Sequence, residues 1–217
     1  MPEYTFESSQ PVKLRVRLPR GHIRVAAANS ENIAVSVEPL NTEDTRAEEA
    51  ADRTQVALNG RDLVVESPDR GSLLRWAPPK LAVTITVPTG SHASVKTASA
   101  GLETTGWLGS LRLSTASGDM SGESFAGDVT VRTASGEVAI GTVGGSLSVQ
   151  NASGSIRVGS IARNARMNTA SGHLEIGEAA GSVRGHSASG DVSVGRAHSG
   201  RIDVNTASGS IDVGVVE

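Results

Sequence analysis

Residues 133–150 read TASGEVAIGTVGGSLSVQ, a turn-like run of small polar residues followed by short stretches in which every second position is branched and apolar. Val138 and Ile140 fall on one side and Glu137 and Ala139 on the other, the alternation a half-buried strand requires. Gly and Ser punctuate the chain too often for an apolar stripe at helical spacing, so a helix is excluded here. The phrase then returns. Its alanines are Ala98, Ala116, Ala134, Ala152, Ala170, Ala188 and Ala207, five intervals of 18 residues and a last one of 19. A fixed period of this kind marks stacked units, each burying its apolar face only against its neighbours. Each unit divides into two nine-residue halves, with Ala134 over Val143, Gly136 over Gly145, Val138 over Leu147 and Ile140 over Val149. Two short strands per 18-residue coil predict an all-β fold, a parallel β-solenoid (β-helix) of about seven rungs over residues 90–217.

Two other 18-residue coils are ruled out by their inward rows. A hexapeptide solenoid would turn Ser110, Asp128, Ser146, Asn164, Ser182 and Arg201 into the core, and that row is polar in every rung. A calcium-binding nonapeptide roll needs an Asp repeated in each turn, whereas Asp119, Asp128 and Asp191 are scattered.

Residues 1–89 lack the repeat. Alternation appears in VKLRVRL, HIRVAAA and NIAVSVE, then in TQVAL and DLVVE around Asn59-Gly60, a strong hairpin signal. Between them, NTEDTRAEEAADR predicts one helix near 42–53, capped by Asn41 or Thr42 with Glu43 and Asp44 in its first turn. LRVRLPRGHIRV and VTITVPTGSHASV look like two copies of one strand, Pro-x-Gly turn, strand unit. The segment is read as a strand-rich N-terminal cap covering the first rung, where an open edge would otherwise pair with other chains.

The combination of L-P-R-G in a strand-rich opening, AEEAADRTQV, T-V-P-T-G and then TASG rungs is similar to a bacterial putative-adhesin family of β-strand-repeat proteins, a DUF-type family of unknown function. The resemblance covers nearly the whole chain. It implies a β-solenoid and a non-enzymatic role, with a link in some relatives to the cell envelope and its stress responses. It carries over no catalytic residue.

Composition narrows the role. Of 217 residues, 25 are Gly and only five are Phe, Tyr or Trp, which suits thin stacked coils. The 20 basic residues are dispersed along the chain, with no basic stripe carrying stacking aromatics, so no nucleic-acid partner is expected. There is no cysteine, and no apolar run approaches the roughly 20 residues of a membrane helix. The opening MPEYTFESSQPVKLRVRLPR is polar and acidic where a signal peptide is basic and then apolar, which predicts a cytoplasmic protein.

A catalytic solenoid walls its cleft with long loops, and here the only insertion between rungs is one residue near His198-Ser199. No catalytic, metal or cofactor residue is assigned. The histidines, His22, His92, His173, His186 and His198, read as solvent-facing strand positions, and no carboxylate row accompanies His173 or His186. The Thr row, Thr97, Thr115, Thr133, Thr169 and Thr206 with Asn151 and Ser187, and the Ser row beside it are expected on the outside. They act either as corner residues or, alternatively, as a hydroxyl ladder for ice or a glycan lattice. Leu73, Leu74 and Trp76, between prolines, form a candidate contact loop. The final segment carries Ile211, Val213, Val215 and Val216 with no charged or helical cover, which predicts a protein partner or a two-fold dimer joined through the C-terminal rung. The leading expectation is a non-catalytic structural or interaction module.

Overall fold

The computed structural model describes residues 2–68 and 78–215. The N-terminal elements are β1 (Glu3–Glu7), β2 (Lys13–Ala28), β3 (Asn32–Pro39), α1 (Thr45–Asp52), β4 (Gln55–Asn59), β5 (Asp62–Glu66), β6 (Leu81–Pro88) and β7 (His92–Leu108). The rungs follow as β8 (Ser110–Ser114), β9 (Met120–Phe125), β10 (Val129–Ser135), β11 (Val138–Val143), β12 (Leu147–Ser153) and β13 (Ile156–Ile161). The chain goes on through β14 (Ala165–Ser171), β15 (Leu174–Ala179), β16 (Val183–Ser189), β17 (Val192–Ala197), β18 (Ile202–Ser208) and β19 (Ile211–Val215).

These strands form the predicted all-β solenoid with two faces. The first face stacks β4, β5, the first half of β2, the first half of β7, then β8, β10, β12, β14, β16 and β18. The second stacks β1, β3, β6, the second halves of β2 and β7, then β9, β11, β13, β15, β17 and β19. Pairing is parallel and in register at the 18-residue repeat, as in Val131 opposite Val149 and Val149 opposite Met167. Only the end strands β1, β3 and β4 run antiparallel to their neighbours.

The N-terminal end is wound out of sequence order. β2 lies between β5 and β6 on one side and β7 on the other, so the chain leaps over β2 when β6 continues into β7. β2, placed by its sequence in the cap, is itself a coil of the stack. Its Leu18, Arg20 and Gly21 face Thr97, Ser99 and Ala100, and Ser99 bridges Ser117. LPRG is therefore a TASG corner in altered spelling: Gly21 has φ 135° and Gly118 in the next rung φ 134°. VPTG is a different object, the turn between β6 and β7, with Gly90 at φ 83°. The two Pro-x-Gly stretches are thus not copies of one unit.

The two halves of a rung are also unequal. On the first face Leu147, Val149 and Asn151 point inward, at every second residue. On the second face Ile156, Val158 and Ile161 do so, because Gly159 and Ser160 both lie outside the core. Ala134, expected to match Val143 in the core, is exposed while Val143 is buried. Adjacent backbones approach closely here. A Cβ on Gly159 would overlap the carbonyl oxygen of Gly141 in the rung below, and the same holds at Gly177 over Gly159. Across this column, glycine from Gly141 onward and Glu123 in β9, the third inward position is shifted by one residue.

One continuous core runs through the stack. Its widest residue, Phe125, lies over Gly122, where a Cβ would meet the ring at 2.7 Å. The same inward column then narrows through Val143 and Ile161 to Ala179 and Ala197. The helix starts later and is shorter than its sequence suggested. Asn41 Oδ1 accepts the Glu43 N–H in a turn, which leaves Asp44 to cap α1 by accepting the Arg46 N–H at 3.1 Å. Ala47 and Ala51 are the helix's buried residues, and α1 packs on β3. Gly60, at φ 61°, takes the first central position of the β4–β5 hairpin, leaving Asn59 in its strand.

Candidate functional surface

At the TASG corners the threonine row faces inward, against the expectation. Thr115 and Thr133 are 9% exposed, and Asn151, Thr169 and Ser187 are 7% exposed. Each hydroxyl is used by the corner. Thr115 Oγ1 donates to the Ser117 carbonyl at 2.9 Å, Thr133 Oγ1 to that of Ser135 at 2.8 Å, and Thr169 Oγ1 to that of Ser171 at 3.3 Å. Thr206 donates to Gly190 at 2.9 Å, Ser187 to Gly172 at 3.2 Å, and Thr97 to Pro19 at 3.5 Å. Asn151 spans two rungs by donating to Gly136 and Gly154. What the corner shows to solvent is the Ala row and most of the Ser row. Burying a polar group is tolerated only when it is hydrogen-bonded, which is why the row is Thr, Asn or Ser throughout.

The polar rows at the rung ends form a second system. Asp128 Oδ1 accepts the Ser146 N–H at 2.8 Å, Asn164 Oδ1 that of Ser182 at 3.2 Å, and Ser182 Oγ that of Arg201 at 3.1 Å. At the other corner Asp119, His173 and Asp191 accept the N–H groups of Glu137, Asp191 and Ser210. The scattered aspartates thus tie each rung to the next. The added residue of the last repeat lies in the corner His198–Arg201, where Gly200 adopts φ 93°.

Basic residues that are dispersed along the chain converge on one face. From β2 to β16 the outward positions of the first face carry Lys13, Arg15, Arg17, Lys96, Arg112, Arg132, Arg166 and Arg184 against one carboxylate, Asp128. Arg15 and Arg17 pair with Asp62 and Glu66 of β5 at 3.6 and 2.7 Å. The second face is acidic and only partly compensated. Arg157 bridges Glu137 and Glu175, Arg196 lies 3.4 Å from Glu178, and Arg24 lies 3.0 Å from Glu103. The hydrogen bond from Arg24 holds the Glu103 carboxyl below its ordinary range, with His22 adding to the effect.

Carboxylates do accompany three of the histidines. His173 Nδ1 is 3.4 Å from Asp191 Oδ2, His198 Nε2 is 2.6 Å from Glu178 Oε1, and His22 Nε2 is 3.6 Å from Glu103 Oε2. All three pairs lie on exposed surface, and His22 and Glu103 line an open groove of about 480 Å³ together with Ser99 and Ser121. Among the described residues no group of three or more His, Asp or Glu side chains could hold a metal ion, and no helix is long and apolar enough to cross a membrane. At the C-terminal end, β18 and β19 each pair on one side only among the described strands, with β16 and β17. Ile211 is 47% exposed there, and Val213 is partly buried. Val215 ends β19, while Val216, Leu73, Leu74 and Trp76 lie outside the described residues.

The in-register coils, their TASG corners and the inserted β2 extend over most of the chain, and a family model matches residues 12–217: Toastrack DUF4097. The chain belongs to the Toastrack DUF4097 family. Its fold is that of a "putative adhesin" from Bacteroides fragilis, at 14% identity and TM-score 0.62 over 98% of this chain and 96% of that one. Two further structures match at lower TM-score. A "putative adhesin" from Parabacteroides distasonis has 10% identity and TM-score 0.40, covering 98% and 97% of the two chains. A "putative cell adhesion protein" from Clostridium sporogenes has 9% identity and TM-score 0.38, covering 99% of each. No curated protein matches. The cytoplasmic expectation is corrected by these comparisons. It rested on the polar opening residues alone, whereas the solved structure that shares this fold is described as a putative adhesin.

Proposed function

We propose that this member of the Toastrack DUF4097 family is a non-catalytic, adhesin-like interaction module that presents its flat outer strand faces to a partner. The observation that carries the reading is the shortness of the corners. From β8 to β19 the connections are a few residues long, and the one inserted residue stays within a turn. No loop there rises above the strand faces to surround a substrate, which a catalytic cleft requires. The likeness to structures described as adhesins supports the same reading. The elements of residues 1–89 outside β2 act in it as the cap of the stack, and Leu73, Leu74 and Trp76 as a further contact segment. The test is binding of the purified, labelled chain to bacterial cells by flow cytometry. Saturable binding that survives His173→Ala and His198→Ala is expected, and turnover of a surface polymer that either substitution abolishes would overturn the reading.

Two copies of the chain are further proposed to join through their C-terminal rungs. The one-sided pairing of β18 and β19 and the exposure of Ile211 support this. A dimer by sedimentation equilibrium, converted to monomer by Ile211→Asp or Val213→Lys with the strand signal retained, is expected. A monomer at high concentration would refute it.

A further inference from the structure

From the arrangement of the basic face we infer that it binds a linear acidic polysaccharide, one bearing uronate carboxylates, laid along the solenoid axis. The inference rests on the reading of the chain as a non-catalytic module and names the ligand class of one face.

Most cations on this face are unpaired among the described residues. Lys96, Arg112, Arg132, Arg166 and Arg184 are exposed and make no ion pair among the described residues, whereas Arg15 and Arg17 are paired with Asp62 and Glu66. These unpaired cations call for a polyanion as their complement. Arg166 and Arg184 are register partners on adjacent parallel strands. Like charges placed directly opposite destabilise a sheet; Arg184 has Asp203 opposite it on its other side, whereas Arg166 has only Ser148 there. Arg166 is thus the less compensated of the two, and an anion lying along the strip relieves it.

The shape and the neighbouring groups select among polyanions. Each coil adds about 4.8 Å, so Arg112 on β8 and Arg184 on β16, four coils apart, span about 19 Å along the axis. The cations thus form a strip along the axis. Shallow grooves of about 650 and 640 Å³ flank the strip, one lined by Ser94, Ser110, Arg112 and Thr130, the other by Ser114, Arg132, Gln150 and Asn168. Guanidinium forks bind carboxylates in a bidentate manner, and the hydroxyl and amide groups between them suit sugar hydroxyls. Single-stranded nucleic acid binds through stacking aromatics, and an interfacial lipid contact through apolar residues beside the charges. The described outward positions of this face from β2 to β18 carry no Phe, Tyr or Trp and no large aliphatic residue.

The experiment measures binding of the full chain to alginate, with neutral dextran, duplex DNA and anionic phospholipid vesicles as parallel probes. Alginate is expected to bind and dextran not, with affinity falling about a hundredfold between about 50 and about 200 mM salt through counterion release. Combining Arg112→Glu, Arg132→Glu, Arg166→Glu and Arg184→Glu is expected to weaken alginate binding at least about a hundredfold, and Arg196→Glu on the other face to leave it within about twofold. Arg166→Glu alone is expected to lower affinity while raising the melting temperature, because it turns the repulsive pair with Arg184 into an attractive one and has only Ser148 on its other side. This second readout stands even if the fourfold variant does not fold. No alginate binding at low salt, equal binding by Arg166→Glu, or tighter binding of DNA or vesicles would each overturn the inference. Loss of alginate binding would leave the module reading standing, whereas shortening of bound alginate by the chain would sink that reading and leave the face assignment intact.

Discussion

The glycines show how finely one residue is constrained by its column in the stack. Gly136 sits at a corner with φ 131°, and a Cβ there would overlap the carbonyl oxygen of Gly118 in the rung below. Gly185 occupies an inward position with no positive φ, and its nearest obstacle is a methyl of Val204 at 3.3 Å in the partly buried last rung. Ala at the first site strains the backbone and collides with a neighbour that cannot move. At the second site it restricts the unfolded chain and fills space. In urea denaturation Gly136→Ala is expected to destabilise by about 2 kcal/mol or more, and Gly185→Ala to be neutral or to stabilise by up to about 1 kcal/mol. Both glycines were visible in the sequence. Only the TASG period marked the first as a corner, and nothing local distinguished the second from a loop glycine.

Individual elements are limited by their ends. The helix was legible from its Ala and Glu content, but its start was decided by competition between neighbouring side chains. Asn41 closes its own turn, so Asp44 became the cap. The Asp44 carboxyl is held below its ordinary value chiefly by the Arg46 side chain, with the Arg46 and Ala47 N–H groups contributing. A depressed folded-state pKa means that this interaction stabilises above the unfolded value of about 3.9 and is lost as pH falls through the lower folded value. In an NMR titration the Asp44 carboxyl is expected to protonate below its ordinary range, and Arg46→Ala to bring its midpoint back up. An unchanged midpoint would show that the cap does not depend on that side chain.

For the whole molecule, stability propagates from neighbour to neighbour, because each rung is completed only by those above and below it. The last rung has one neighbour among the described strands and an incompletely buried core, in Ile202, Val204 and Val213. Amide hydrogens of β18 and β19 are therefore expected to exchange first, and those of β10 to β13 last. The opposite order would contradict nearest-neighbour stacking. At the other end, β2 is the seam between β5–β6 and β7, and its Ile23 is fully buried. Ile23→Ala is expected to cost about 2–5 kcal/mol and to expose both sides of the seam to proteolysis.

The sequence by itself determined the repeat: its 18-residue period, two strands per coil, the parallel solenoid and the glycine corners. All of these follow from local alternation and turn chemistry, which recur identically in every rung. The tertiary structure alone decided which side of each corner is buried, since a Thr-Ala-Ser run is compatible with either side until the stack supplies hydrogen-bond partners for the Thr hydroxyls. It alone placed β2 between β6 and β7, because strand insertion depends on long-range pairing that no local pattern encodes. The basic face was hidden for the same reason. Arg112, Arg132, Arg166 and Arg184 are separated in sequence by 18 or more residues, and become neighbours along one face only when each coil is laid on the last.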